Sequence, residues 1–194
     1  MIKPMRLLPR LRTGLAVGVL LAMSAQGDVS ASTLVLGGLG KTCYRLAKAG
    51  QDTRDALKTC TMALQQEAMT PKDRAATHAN RGVVRTKRKE WSAALEDFRQ
   101  AMEIDPALGE AHVGEGVVHS YQQRYPEAIA AIDRGLSLGL AEPEKAYFNR
   151  GVARLGMNNV RGAYKDYKKA AELKPDWALA QERLSWFVVT AAPR

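Results

Sequence analysis

The sequence contains the stretch NRGVVRTKRKEWSAALEDFRQAMEIDP at residues 80–106 and a related stretch of the same length, NRGVARLGMNNVRGAYKDYKKAAELKP, at residues 149–175. Glycine is the third residue of both, at Gly82 and Gly151, and Gly116 lies between them. The first two glycines are 34 residues apart and the last two 35, so one residue is inserted near Pro143. A nearly constant period of this length is typical of stacked repeat units.

Three further positions repeat in register with the glycines. An alanine follows twelve residues later, a large apolar residue sixteen later and a small residue nineteen later (Ala94, Phe98 and Ala101; Ala128, Ile132 and Gly135; Ala163, Tyr167 and Ala170). Proline closes the first and third units at Pro106 and Pro175, whereas the second has Leu140. Small residues let two helices approach closely, and proline stops a helix. The pattern predicts helix pairs at 75–88 and 91–104, 109–122 and 126–137, and 144–156 and 160–173.

These matched positions resemble the tetratricopeptide repeat family over roughly residues 37–190. The resemblance implies an all-α fold, a right-handed α-solenoid of three clear helix pairs, one degenerate N-terminal pair and a C-terminal capping helix at Ala178 to Thr190. The expected divisions are a signal peptide at 1–31, a degenerate first repeat at 32–74, repeats at 75–108, 109–143 and 144–177, and the cap with its tail at 178–194.

Both cysteines lie in the degenerate first repeat. Ala56, Cys60 and Ala63 keep the spacing of the second helix, but Tyr44 stands where the glycine is expected. The register places Cys43 on the first helix of the pair, facing Cys60 on the second. An even number of cysteines in an exported chain favours a disulfide, which would add about 3 kcal/mol to the stability of this repeat. A free or redox-active pair is the alternative.

The N-terminal residues have the pattern of a secretory signal. Four basic residues precede an uncharged run at 13–26 (Lys3, Arg6, Arg10 and Arg12). The apolar centre of that run, about ten residues, is too short for a lasting membrane helix. Small residues then lead to Ala31, where we expect cleavage, with Ala25 as the second choice. We therefore expect a periplasmic or secreted protein without a transmembrane span after signal removal. An uncleaved membrane anchor is the alternative.

The chain is basic, with a formal net charge of +9. Removal of residues 1–31 takes away four basic residues and Asp28, which leaves +6. Part of this charge forms a cluster that is either a solvated helix face or a docking patch for an anionic partner or an anionic lipid surface of the envelope (Arg81, Arg85, Lys87, Arg88 and Lys89). No stacking aromatic residues accompany the cluster, so nucleic acid is not an expected partner.

In tetratricopeptide solenoids the first helix of each unit lines the concave groove, and the resemblance implies which residues lie there. They are Asn80, Val83, Lys87, Val113, Val117, Tyr121, Phe148, Asn149, Val152 and Arg183. The three valines at one repeat position predict an apolar stripe that suits a bound peptide, or else they belong to the core between repeats. A carboxylate clamp, the acidic-peptide site of chaperone-adaptor members, would match only Asn149 and Arg183 of its five positions.

The sequence favours an interaction module over an enzyme. It has no nucleophile, phosphate-loop or metal-ligand motif, so no catalytic residue, cofactor or metal is expected. His78, His112 and His119 are scattered. The chain resembles small exported tetratricopeptide proteins of Gram-negative envelopes, which implies a periplasmic scaffold or adaptor that binds a protein or peptide. The alternatives are an envelope assembly chaperone with weakly bound extended clients, and an enzyme of unrecognised type.

Overall fold

The computed structural model describes residues 6–9, 38–50 and 53–190. Its helices are α1 (Gly38–Ala49), α2 (Thr53–Gln66), α3 (Pro71–Lys87), α4 (Trp91–Ile104), α5 (Gly109–Tyr121), α6 (Tyr125–Leu138), α7 (Pro143–Gly156), α8 (Val160–Leu173) and α9 (Ala178–Ser185). Strands β1 (Arg6–Pro9) and β2 (Phe187–Thr190) pair antiparallel. Apart from β1, the predicted signal peptide, with Ala25 and Ala31, lies outside the described residues. Residues 191–194 do too.

Consecutive helices form four pairs that stack in chain order. The two helices of each pair pack along each other, and the first helix of each pair also contacts the first helix of the next, as α3 does with α5. The prediction of an all-α repeat solenoid is confirmed. Among the described residues, no helix is both long enough and apolar enough to cross a bilayer.

The turn inside each of the three clear pairs has the same backbone conformation. Lys89, Gln123 and Asn158 have φ values of 61°, 61° and 59°. Each lies seven residues after the repeat glycine, so the left-handed residue is part of the repeat. Such a residue reverses the chain in one tight step and returns the second helix onto the first.

The repeat glycines lie where the paired helices approach most closely. A Cβ atom on Gly82 would lie 2.8 Å from the Phe98 ring, and one on Gly151 would lie 2.9 Å from the Tyr167 ring. At Gly116 the nearest atoms would be Ile132 Cγ1 at 2.6 Å and the Ala128 carbonyl oxygen at 2.8 Å. The large residue of each second helix therefore fills the space that the glycine leaves.

Two predicted helix boundaries are wrong. Helix α3 begins at Pro71 rather than residue 75, because Thr70 caps it: the Asp73 backbone N–H donates to Thr70 Oγ1 at 3.1 Å, and Pro71 needs no hydrogen-bond partner for its nitrogen. The capping helix ends at Ser185 rather than Thr190, because the chain then enters β2. Two valines and a threonine in succession favour an extended backbone there.

The first pair is joined by a disulfide between Cys43 of α1 and Cys60 of α2, with Cα atoms 4.8 Å apart. Both cysteines are fully buried beside three alanines, and Tyr44, Leu46 and Leu57 pack against this core while only partly buried. Cys60 stands at the repeat position that holds Phe98, Ile132 or Tyr167 in the other pairs, so the covalent link supplies stability that those pairs obtain from a large buried side chain.

Candidate partner-binding face

Most of the residues that the sequence assigns to the groove are buried. Val83, Val113 and Val117 are at most 2% exposed and belong to the core that runs from α1 to α7. Phe148 is fully buried against the Tyr167 and Trp177 rings, whose centroids lie 5.2 Å and 4.9 Å away. These four residues pack in the core, and for Val83 and Val117 this agrees with the alternative that the valines of the stripe belong to the core between repeats.

The reason is the contact between successive first helices. Because α3 packs against α5 and α5 packs against α7, a side chain on the inner side of one first helix meets the next helix instead of solvent. Asn80 and Asn149 are also buried, at 0% and 2% exposure. The repeated Asn-Arg-Gly tripeptide is therefore a feature of the interior.

The other four predicted groove residues keep some exposure. Lys87 is exposed and donates a hydrogen bond to the Ala47 carbonyl oxygen at 2.9 Å. Half-buried Tyr121 stacks on Trp91, with ring centroids 5.2 Å apart, and Val152 is half-buried against the C-terminal core. Arg183 lies 4.0 Å over the Trp186 ring. These side chains are dispersed among four helices and do not form a continuous stripe.

The most elaborate polar contact surrounds Asp97, which is 1% exposed. Arg81 Nη2 donates to its Oδ1 at 2.8 Å, Arg85 Nη1 donates to its Oδ2 at 2.8 Å, and His78 Nδ1 lies 3.2 Å from Oδ1. Burial alone would raise the pKa of Asp97, but the hydrogen bonds from His78 and Arg81 and the charges of both arginines outweigh it and lower the pKa.

The last pair repeats this network. Asp166 accepts from Arg150 Nη2 at 2.7 Å and from Arg154 Nη1 at 2.8 Å, at repeat positions equivalent to those of the Asp97 network. Arg150 also reaches Asp133 on the preceding pair. Burial opposes the charge of Arg150, but its hydrogen bonds to Asp166 and Asp133 raise its pKa above the ordinary value. The arginine thus joins one repeat to the next as well as its own two helices.

The arginine networks change the interpretation of the predicted basic cluster. Arg81 and Arg85 point inward to Asp97, and Arg88 pairs with Glu90 at 2.6 Å. The sequence correctly locates the positive residues, but two of the five are turned inward to Asp97, whereas Lys87, Arg88 and Lys89 are exposed. The interpretation of this cluster as a docking patch therefore rests on Lys87, Arg88 and Lys89 alone.

A different basic face is exposed, and the sequence analysis missed it. Lys41, Arg45 and Lys48 follow one another at helical spacing on α1 and are all exposed, whereas Cys43 and Ala47 lie on the buried side of the helix. Helix α1 has no acidic residue. We call Lys41, Arg45 and Lys48 the α1 basic face. The spacing was readable from the sequence, but only the packing shows that, among the described residues, no helix covers this side of α1.

One end of the α1 basic face points across the concave side of the solenoid. Lys48 Nζ lies 4.0 Å from Glu142 Oε1. Glu142 directly precedes α7, the first helix of the fourth pair, whereas Lys48 is on the first pair. Glu142 also accepts from Lys145 Nζ at 3.1 Å. The hydrogen bond with Tyr44 and the charge of Glu142 raise the pKa of Lys48. The α1 basic face therefore borders the concave side and already contacts one carboxylate there.

Comparison with known proteins agrees with this architecture. Residues 144–176 match the family described as "Tetratricopeptide repeat". The helix pair formed by α7 and α8 is thus a tetratricopeptide repeat. The chain is 30% identical over 91 residues to "RNA polymerase II-associated protein 3" of Mus musculus, a match that covers 46% of this chain and 14% of that protein. The chain thus spans about one seventh of the length of this curated relative.

Solved structures show the same repeat fold at low sequence identity. The "First TPR of Spaghetti (RPAP3) bound to HSP90 peptide SRMEEVD" has a TM-score of 0.54 and 22% identity, over 57% of this chain and 89% of that one. "Crystal structure of MamA" has a TM-score of 0.58 and 18% identity, over 77% of this chain and 82% of that one. At such identities the likeness establishes the tetratricopeptide fold alone.

Proposed function

We propose that this chain is a non-catalytic interaction protein that binds an acidic segment of a partner along its concave side. The observation that carries the proposal is the α1 basic face, three exposed cationic side chains next to the concave side without an acidic residue on their own helix. Positive charge on one face selects partners that carry negative charge and accelerates their encounter.

The contact between Lys48 and Glu142 supports the choice of an acidic partner. A carboxylate already lies 4.0 Å from this lysine inside the free protein, so the concave edge accommodates the group that a partner would present. The peptide bound in the Spaghetti structure, SRMEEVD, is also acidic. This is a property of that complex, and it supports an acidic partner for this chain by analogy. The buried valines lend no support to an apolar peptide groove.

The test uses fluorescently labelled peptides, each with three glutamates, and the same peptides with three glutamines. We expect the glutamate set to bind and the glutamine set to bind about tenfold more weakly, because three exposed ion pairs of about 0.5 kcal/mol each are lost. The variant Lys41→Gln, Arg45→Gln, Lys48→Gln should lose the difference between the two sets. Equal binding of both sets by the native chain would refute an acidic partner.

Glu142→Gln provides a second arm with the opposite sign. The substitution removes the internal carboxylate that competes for Lys48, so the affinity for the glutamate peptides should rise, up to about fivefold for a half-exposed ion pair. Circular dichroism checks that the fold is kept. A decrease in affinity would mean that Glu142 holds the site in shape instead of competing with the ligand.

We propose further that the protein acts as a scaffold or adaptor in the periplasm, exported by the signal at residues 1–31. The disulfide supports an oxidising compartment, because such bonds persist there and are rare in reducing cytosol. The chaperone alternative requires an exposed apolar lining, and the burial of Val83, Val113 and Val117 leaves it without that lining.

Intact mass spectrometry of the chain purified from the envelope fraction tests the export proposal. The expected mature chain begins at Ser32 and lacks β1, so β2 loses the strand that pairs with it. A chain recovered with residues 1–31 attached would contradict cleavage and favour the membrane-anchor alternative.

A further inference from the structure

The outer face of α8 differs in charge from those of the other second helices. Its exposed side chains are those of Arg161, Lys165, Lys168, Lys169, Glu172 and Leu173, four of which are cationic and one anionic. The opposite side of the helix, with Ala163, Tyr167 and Ala170, is buried against α7 and the C-terminal core. We call the exposed lysines Lys165, Lys168 and Lys169, with Leu173, the α8 outer face.

The corresponding faces of α4 and α6 have no such excess of positive charge. Helix α4 exposes Glu96 and Glu103 around Arg99, which pairs with both of them. Helix α6 exposes Glu127 and Asp133 as well as Arg134. Helix α2 exposes Arg54 and Lys58 against Asp55, so among the second helices the excess of positive charge is largest on α8.

The lysines of the α8 outer face form only weak ion pairs within the protein. Lys168 Nζ and Lys169 Nζ lie 3.9 Å and 4.0 Å from the same carboxylate, Glu172, and all three side chains are about half exposed. Exposed pairs of this kind contribute little and are screened by salt. The lysines are thus available to another anionic surface.

An apolar side chain lies at the end of the same face. Leu173 is 43% exposed, one helical turn beyond Lys169. The residues at its repeat position in the two preceding units, Ile104 and Leu138, are half-buried. Leu173 is less covered because the next helix, α9, has only eight residues. The face thus combines several cationic side chains with one apolar side chain, and both kinds of group contribute to the binding of a protein to anionic lipid.

We propose that the α8 outer face docks on an anionic lipid bilayer. The face is a convex ridge, so it can lie against an extended flat surface but does not enclose a peptide. Lysine ammonium groups on flexible stems suit the diffuse charge of phospholipid headgroups, which needs no fixed pairing geometry. Leu173 enters the boundary between headgroups and acyl chains. No exposed aromatic ring on this face could stack on a nucleic acid base.

The docking surface is independent of the proposed peptide site. The α1 basic face belongs to the first helix pair, whereas α8 belongs to the last and lies on the convex side. A chain docked through α8 therefore leaves the concave side open to a partner, as an adaptor at a membrane surface requires.

Two variants with the same loss of charge separate this proposal from general electrostatic attraction. One is Lys165→Gln, Lys168→Gln, Lys169→Gln on α8, and the other is the triple glutamine variant of the α1 basic face. Each chain is used as it is purified from the cell, after any processing there. It is sedimented with vesicles that contain about one-third phosphatidylglycerol or with vesicles of phosphatidylcholine alone. Each lysine near an anionic surface contributes about 1 kcal/mol, so the α8 variant should bind roughly a hundredfold more weakly to the anionic vesicles.

The expected pattern has three parts. The native chain binds the phosphatidylglycerol vesicles, salt weakens this binding steeply, and the α1 variant binds as the native chain does. Leu173→Gln should weaken binding further in a way that salt does not change. Equal losses for both triple variants would overturn the proposal, because total charge would then explain the binding.

Two other results would also refute it. The first is equal binding to anionic and neutral vesicles. The second is an α8 variant that keeps vesicle binding but loses binding to soluble polyglutamate, since this would make the face a site for an acidic protein. Circular dichroism and the peptide assay verify that the α8 variant is folded, so failure here leaves the proposed peptide site unaffected.

Discussion

Asp97→Asn is the substitution that tests the structural account most directly. It keeps the shape of the side chain but removes the charge that faces Arg81 and Arg85 inside the protein. Asp97 is 1% exposed and accepts from Arg81 Nε and Nη2 and from Arg85 Nη1, at distances between 2.8 Å and 3.1 Å. An asparagine retains one acceptor oxygen and presents an amide donor to the guanidinium groups.

The expected loss follows from these contacts. At least two charge-assisted hydrogen bonds are lost, each worth about 1.5–3 kcal/mol, which agrees with about 3–5 kcal/mol for removal of one partner of a buried ion pair. The free energy of unfolding is measured by urea denaturation followed by circular dichroism. Asp133→Asn is the matched control, because Asp133 also pairs with an arginine but is 47% exposed, and it should cost less than about 1 kcal/mol.

The pH dependence gives an independent check of the sign. The pKa of folded Asp97 lies below its ordinary value of 3.8, so its contribution to stability is complete above that value and is lost as the pH falls through the folded-state pKa. The stability difference between native chain and variant should therefore be constant near neutral pH and shrink only in strong acid. If Asp97→Asn costs no more than Asp133→Asn, the buried network does not hold the repeat together and the reasoning fails.

Three further predictions concern packing. Gly116→Ala should lower the free energy of unfolding by about 1–3 kcal/mol, because its Cβ would lie 2.8 Å from the Ala128 carbonyl oxygen. Gly38→Ala, whose Cβ would meet no atom of the described residues within 4 Å, should be harmless in the same urea titration. Phe148→Ala should cost about 3–5 kcal/mol as a core truncation, and a loss of peptide binding without a loss of stability would restore Phe148 to the groove. Cys43→Ser with Cys60→Ser should cost about 3 kcal/mol by removing a link across 17 residues, and unchanged melting with and without reductant in the native chain would contradict this.

The sequence predicted the architecture because each signal in it is local and repeated. Gly82, Gly116 and Gly151 mark the close contact of two helices, and their large partners sixteen residues later fill the space beside it. Errors occurred where one signal had to be extrapolated. Thr70 lies before the first matched position of its repeat, so the repeat pattern did not predict it as a helix cap. The end of α9 depends on the pairing of β2 with β1, two segments that are distant in the sequence.

The charged residues were harder to interpret because their partners are distant in the sequence. Arg81 and Asp97 are separated by 16 residues, and Arg150 and Asp166 by the same number, so the pattern is visible once the pairing is known. The middle unit has Glu115, His119 and Ala131 at the equivalent positions and lacks the network. The sequence therefore suggested a solvated helix face or a docking patch for this run of positive residues, and only the burial of Asp97 shows that Arg81 and Arg85 are turned inward.

The position of a helix in the stack decides whether one repeat position is core or surface. Two repeat positions show this, counted from the repeat glycine or, in the first unit, from Tyr44. Three residues before it lie Lys41, Ala79, Val113 and Phe148. One residue after it lie Arg45, Val83, Val117 and Val152. In α3 and α5 these residues are buried by neighbouring first helices, and there they are apolar. On α1, where no preceding first helix is described, both are exposed and basic. In the middle of this short solenoid, neighbouring first helices therefore cover the residues that the family register assigns to the groove. The proposed contact with a partner lies at the terminal repeat, where the same register leaves its side chains free of a neighbouring helix.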